Sequence, residues 1–387
     1  TIQIIALLLI LGGTFSVLAE TGGLVSVVRI IVNKFYKHRY GAIWIITLVM
    51  MLLASLFGLQ EELLVLFPVF LMFASAMSWD KVQAVRLVLI TTGVGFTVAI
   101  LNPFTIGICS ELAGISVVDG IWYRIIMFVV LYVVTSLYLM FEAKRCERAN
   151  ADKPRNLADF QASNEEEAKE DKRKAKMISI LFGVVLAVIV ISVSIPFLEE
   201  LGIAMILMAV AFIIGTFVVG SLLLGSFKKM IKAFGKGALN IAPSIVIILL
   251  AFSVKYIAEC GDILHTIFYY INNLMTSTSP YVAVLLMYAL VLIVEFFIPG
   301  SSSKAMLLIP LLTLAPIPGI SKNIIMLVFL FGDGYTNVLY PTCGTLVVGL
   351  SLAKVSYLEW LKKTIVFQLI LLVLSIAFLY IGIAIGL

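Results

Sequence analysis

Five ionisable residues, Glu61, Glu62, Glu295, Lys304 and Asp333, lie in stretches otherwise apolar enough for hydrocarbon. A charge at the centre of a bilayer costs roughly 2.5–3.5 kcal/mol on insertion scales, so each needs a partner or water and each is a functional candidate. Ser301, Ser302, Ser303, Thr336, Asn337 and Thr342 accompany Lys304 and Asp333, while Gln60, Asn102 and Thr105 accompany the glutamate pair. Oxygen donors suit a hard cation. A coupling Na⁺ is therefore expected near Gln60, Asn102, Ser302, Asp333 and Asn337, with H⁺ as the alternative and no other cofactor. The candidate substrate set is Glu61, Glu62, Asn102, Thr105, Ser301, Ser302, Ser303, Lys304, Asp333, Asn337 and Thr342. Bland roles compete: an Asp333–Lys304 bridge that only locks two elements, a Glu62 that caps its own helix, and Asn102 and Asn337 as mere helix breakers.

Catalytic sets are missing. His38 and His265 lie near the ends of spans, so no base accompanies a serine at depth, and Asp333 has no second aspartate there to make an aspartyl protease. The four cysteines show no metal or disulfide spacing. The GxG pairs at 93–95 and 332–334 have neither a preceding strand nor a P-loop lysine. A channel or an intramembrane protease remains a distant alternative to a transporter, and no nucleic-acid partner is expected.

Positioning these groups falls to helices that break inside the membrane. The segment at 281–298 stops at Pro299 and Gly300 and resumes to about Leu314; crossing a bilayer takes about 20 apolar residues, so a re-entrant hairpin with its tip at Gly300–Lys304 is expected. The apolar segment at 323–350 is broken by GDGYTN and Pro341. The pattern occurs earlier as a hairpin over 41–78, with its tip at Gly58–Glu62, and a helix from Leu87 broken at Gly93, Gly95, Asn102 and Pro103. Irregular backbone at this depth persists only where protein covers it or it lines a cavity.

Apolar residues make up 62% of the 387 residues, charged residues 13%, and the mean hydropathy is +1.15, so the chain is an all-α polytopic membrane protein. Further spans are expected at 1–19, 121–141, 178–195, 201–226, 239–258 and 365–386, with amphipathic interfacial stretches at 24–39 and 261–275. The stretch 142–177, which is rich in both charge signs, reads as a solvated linker. Threading the spans leaves all but four of the 27 basic residues (Arg124, Lys255, Lys304 and Lys322) on one side. The preference of basic loops for the cytoplasm puts that side and the linker inside. The chain opens at Thr1 on apolar sequence, which is compatible with a preceding helix.

An internal repeat appears at an offset near 239: FSVLAETGG at 15–23 matches FSVKYIAECGD at 252–262, FGLQEE at 57–62 matches FIPGSS at 297–302, and GVGFT at 93–97 matches GDGYT at 332–336. Two units of inverted topology result, 1–141 and 239–387, separated by the linker 142–177 and scaffold helices at 178–238. Such repeats place the site at their interface near the midplane.

The motifs EE at 61–62, GVGF…NPFTIGI at 93–108, PGSSSKA at 299–305 and FGDGYTN…PTCG at 331–344 resemble the ion transporter superfamily, most closely its YfcC-like and C4-dicarboxylate anaerobic carrier-like branch. The resemblance implies a scaffold and a mobile transport domain holding both hairpins, an elevator mechanism, a homodimer and a bacterial inner-membrane location. It also implies cation-coupled uptake or exchange of small organic anions or amino acids. The GSSS tip departs from the usual serine-glycine-serine-glycine pattern. Two glutamates at one tip, facing one lysine and helix N-termini at the other, suit a zwitterion with an extra cationic end such as arginine, ornithine or lysine. A C4-dicarboxylate or other organic anion is the alternative. Spans 121–141 and 365–386 are expected in the scaffold.

Overall fold

The computed structural model describes residues 2–35, 38–60, 62–150, 165–194, 203–239, 278–298, 300–314 and 319–387. The span expected at 239–258, the amphipathic stretch at 261–275 and Glu61 lie outside them, as does the 252–262 member of the repeat. Among the described residues the chain is helical without strands, and five helices are long and apolar enough to cross a membrane.

In chain order the helices are α1 (Ile2–Glu20), α2 (Gly23–Phe35), α3 (Arg39–Phe57), α4 (Phe67–Ala76), α5 (Lys81–Val98), α6 (Ile108–Ala113), α7 (Ile121–Ala149), α8 (Glu165–Ser194) and α9 (Ile203–Leu224). They continue with α10 (227–239), α11 (Pro280–Phe297), α12 (Ser301–Leu314), α13 (Lys322–Thr336), α14 (Gly344–Ala353) and α15 (Tyr357–Ala384). Polar side chains start several of them. Asp80 accepts from Gln83 N at 2.8 Å to cap α5, and Ser321 and Ser356 do the same for α13 and α15.

Two helices form the centre. α5 is buried along Val82–Val98 and α13 along Ile324–Thr336, and they pack on each other. A helix covered on every side belongs to a core. The legs α3 and α4 both lean on α5, and α11 and α12 both lean on α13. The legs are unequal: the entering helices have 19 and 18 residues and the returning ones 10 and 14. Each returning leg also reaches across to the other half, α4 touching α14 and α12 touching α6.

The glycine pairs at 93–95 and 332–334 do not break their helices, contrary to the reading of GxG as a break. A Cβ on Gly95 would meet the Met51 carbonyl oxygen of α3 at 2.8 Å, and one on Gly332 would meet Val291 of α11 at 2.3 Å. Gly93 packs against Val338, and Gly334 against the Thr97 backbone. Each pair thus seats one glycine on its own hairpin and one on the opposite half, the close helix approach that small residues permit in membranes. The breaks come later. α5 ends at Ala99, in the left-handed region at φ 41°, and α13 ends at Asn337.

Helices α7 and α15 clasp this centre. Arg86 of α5 pairs with Glu142 of α7 at 2.9 Å and donates to the Lys363 carbonyl of α15 at 2.6 Å. Tyr123 of α7 donates to the Phe378 carbonyl of α15 at 2.6 Å, and Trp360 and Gln368 of α15 both donate to the Val338 carbonyl just beyond α13. The two spans expected in the scaffold are therefore tied to the broken helices by buried polar contacts. A separate group packs beside them: α1 on α9, α9 on α8 and α8 on α2, with Thr14 and Thr216 hydrogen-bonded at 2.9 Å.

The stretch read as a solvated linker is helical at both described ends, because 142–149 prolongs α7 and 165–177 is the start of α8. Asp171 anchors that start, accepting from Ser26 at 2.6 Å and pairing with Arg29 of α2 at 2.8 Å. Charges assigned to one side do share one end of the molecule, as Arg39 pairs with Glu147 and Lys363 with Asp80. At the other end Lys322 donates to the Ala113 carbonyl and Arg124 to that of Val117.

Candidate functional site

A buried charge cluster occupies the joint between the second hairpin and the second broken helix. Glu295 comes from the last turn of α11, Lys304 and Ser301 from the first turn of α12, and Asp333 and Thr336 from the last turn of α13. Lys304 Nζ lies 2.7 Å from Asp333 Oδ1 and also pairs with Glu295 Oε2. Ser301 Oγ donates to the Asp333 carboxylate at 2.7–2.9 Å, and Thr336 Oγ1 donates to Glu295 Oε2 at 3.2 Å. All three charged side chains are buried. The break between Phe297 and Ser301, with Gly300 at φ 99°, makes this possible. It ends one helix and starts another, whose N-terminal dipole points toward the acidic end of α13.

Ser301, Lys304 and Asp333 are thus brought together as expected, and Glu295 and Thr336 join them. The sequence shows Glu295 as a carboxylate in need of a partner, and it is not among the candidate substrate residues. The signal was its position nine residues before Lys304, across a helix break. Asn337 closes α13; its Oδ1 accepts from Cys343 Sγ at 3.6 Å and its Nδ2 has no partner. Thr342 is half-buried in the following turn. Ser302 and Ser303 lie in the first turn of α12.

At the first tip Asn102 and Ser55 serve the backbone. Asn102 Oδ1 accepts from Phe104 N at 2.9 Å and its Nδ2 donates to the Ala54 carbonyl at 3.4 Å. Ser55 accepts from Ile100 N at 2.9 Å. Gly58 ends α3 at φ 71°, where a Cβ would strike Asn102 Oδ1 at 2.5 Å, so hairpin and break fit together only with glycine there. Gln60 and Thr105 are buried nearby in sequence, and Thr105 Oγ1 has no partner. Glu62 begins a 3₁₀ turn over Glu62–Leu66. Asn102→Ala should orphan a buried amide N–H and a carbonyl, lowering stability by about 1–3 kcal/mol in a denaturation or thermal-melt comparison.

Of the candidate Na⁺ shell, Asp333 and Asn102 already have partners in this conformation. Both oxygens of Asp333 are engaged by Lys304 and Ser301, and both amide atoms of Asn102 by backbone. Among the described residues, no three His, Cys, Asp or Glu gather as metal ligands would. A cavity of about 630 Å³ opens at the basic end, between the ends of α4 and α14, lined by Ser75, Ser78, Asp80, Lys81 and Lys354. None of the charge cluster lines it.

Comparisons with known proteins place the chain in a family. A protein of Escherichia coli (strain K12) named "Putative basic amino acid antiporter YfcC" is 26% identical over 385 residues, which covers 93% of this chain and 73% of that protein. A Haemophilus influenzae protein without a functional name is 23% identical over 375 residues, covering 93% of this chain and 71% of its own. The family model for the C4-dicarboxylate anaerobic carrier matches residues 1–384. From end to end, the chain belongs to the C4-dicarboxylate anaerobic carrier family and is a secondary transporter of the membrane.

Proposed function

We propose that the protein exchanges a basic amino acid, such as arginine, ornithine or lysine, across the membrane, with the site at the hairpin tips. The observation that carries this reading is the charge of the cluster: one ammonium stands between two carboxylates, so with both acids ionised it is net negative. Lys304, the one basic residue in the notional anion site, is consumed by two acids. Among the described residues the other buried cations are Arg86, paired with Glu142, and Arg124, which donates to the Val117 carbonyl and is not part of the cluster. Neither Lys304 nor Arg86 is left free for a dicarboxylate, while a cationic end has complementary charge to meet at the cluster. The similar E. coli protein's name points the same way, and the family's name keeps the C4-dicarboxylate as the competing substrate. A panel of labelled arginine, ornithine, lysine, succinate and fumarate taken up by proteoliposomes, with Na⁺ or pH gradients imposed, tests it. Uptake of the dicarboxylates alone would reject the amino-acid reading.

The transport step fits a moving body of two inverted units. The joints of α3 with α5 and of α11 with α13 carry polar groups whose separation would strand them in hydrocarbon at several kcal/mol each. The clasp of α7 and α15 assigns these spans to the same body, and the seam then lies against α1, α2 and α8–α10. Rigid movement along that seam exposes the intact site to each side in turn. The basic end faces the cytoplasm, and the protein works as a homodimer in the inner membrane. Cysteine pairs cross-linked across the α2–α4 seam should stop exchange, and pairs joining α4 to α14 should leave it running. The reverse pattern would replace the moving body with local gating by one hairpin.

A further inference from the structure

Glu295 has an oxygen left over. Its Oε2 takes Lys304 and Thr336, but its Oε1 has no hydrogen-bond partner, although the residue is only 4% exposed. Asp333 differs, since Lys304 and Ser301 together engage both of its oxygens. One lysine cannot neutralise two acids. A buried ion network with one uncompensated charge is costly, and a bare carboxylate oxygen adds the penalty of an unmade hydrogen bond. Among the described residues, the other titratable groups that interact with Glu295 are Cys109 of α6, Tyr288 of α11 and Tyr340 beyond the end of α13. None of them brings a positive charge. The described part of α15, which also packs on α11 and α13, carries its charged residues only in its first turns, at Glu359, Lys362 and Lys363.

We propose that Glu295 takes up and releases the coupling proton on Oε1, while Asp333 stays ionised against Lys304 and Ser301. Hydronium reaching the opened site gives its proton to Oε1 and leaves as water. An O–H bond forms, Oε2 keeps its contacts, and the cluster passes from one net negative charge to none. The consequence rests on the amino-acid exchange reading above: a neutral cluster no longer attracts a cationic substrate, so proton and substrate occupy the site in alternation and are carried in opposite directions.

The test is infrared difference spectroscopy of the purified, full-length protein while the pH is stepped through the neutral range. The protein is prepared with either glutamate or aspartate labelled with heavy carbon at the side-chain carboxyl. A carboxylic-acid carbonyl band is expected at the low end of the range and lost at the high end. It should shift with labelled glutamate, stay put with labelled aspartate, and be missing from Glu295→Gln. No such band, a band that moves with labelled aspartate, or one that survives in folded Glu295→Gln would overturn the proposal. Should Glu295→Gln fail to fold, Glu295→Asp takes its place, and the band should then move with labelled aspartate and no longer with labelled glutamate. No substrate is added, so a failure of arginine uptake would sink the transport reading without touching this result.

Discussion

Replacing Lys304 by methionine is expected to cost about 3–5 kcal/mol, because it strands two carboxylates that the fold has buried around one ammonium. That is a large part of the roughly 5–15 kcal/mol that holds a typical domain folded. Little monodisperse protein should be recovered on size-exclusion chromatography. Removing the acids as well, in the triple variant Lys304→Met, Glu295→Gln, Asp333→Asn, should restore recovery without restoring transport, since no charge then remains to be matched. Equal thermal stability of Lys304→Met and the wild type would show the cluster to be hydrated rather than desolvated. The triad also changes what a charge swap can reveal. Exchanging Asp333 and Lys304 would set the new aspartate beside Glu295, so failure of that double variant would reflect like-charge repulsion and would not separate a structural bridge from a binding role.

The second large effect is expected at Gly334. A Cβ there would lie 2.2 Å from Thr97 N and 2.4 Å from Thr97 Cα. Backbone cannot rotate away as a side chain can, so Gly334→Ala must push α13 off α5, at about 1–3 kcal/mol for the overpacked contact. Because the same displacement moves Asp333 and Thr336 relative to the first half, transport should fall further than stability does. Gly183→Ala in α8 is the control, since its Cβ would meet nothing within 4 Å. Thermal midpoints and initial uptake rates of the two variants, measured side by side, check the expectation. A Gly334→Ala protein with wild-type transport would mean that the two broken helices need not touch as closely as they do here.

The sequence made the joints legible where it paired a cost with a cause. Charges at Glu295, Lys304 and Asp333 are too costly to sit in hydrocarbon without partners, and Pro299–Gly300 does not continue a helix, so the second tip is legible in the sequence. The glycines misled for a physical reason: Gly93, Gly95, Gly332 and Gly334 look like breaks when only chain propensity is weighed, yet inside a packed membrane core they allow close approach, which is visible only once Met51, Thr97 and Val291 are in place. Only half of the partnership of Lys304 is legible, Asp333 without Glu295, because the break that reverses the chain at Gly300 brings α11 back against α12 and sequence spacing alone does not show this. The contacts that tie α7 and α15 to the broken helices are hidden likewise. Arg86 and Glu142, or Trp360 and the Val338 carbonyl, are distant contacts with no local pattern. The helical start of α8 could have been read from its paired charges, such as Glu170 with Lys174 at 2.8 Å.

The central claim, that the cluster around Asp333 handles a cationic amino acid, is tested most directly by counterflow through reconstituted protein. Vesicles are loaded with unlabelled arginine or with succinate, and the entry of labelled arginine is followed for the wild type and for Asp333→Asn. Asp333→Asn keeps the Glu295–Lys304 pair, so it should remain folded. The expected result is rapid exchange in arginine-loaded wild-type vesicles, little entry against internal succinate, and an initial rate at least about tenfold lower in Asp333→Asn, equivalent to losing ~1.4 kcal/mol of binding. Undiminished exchange in Asp333→Asn, or labelled succinate exchanging where arginine does not, would contradict it.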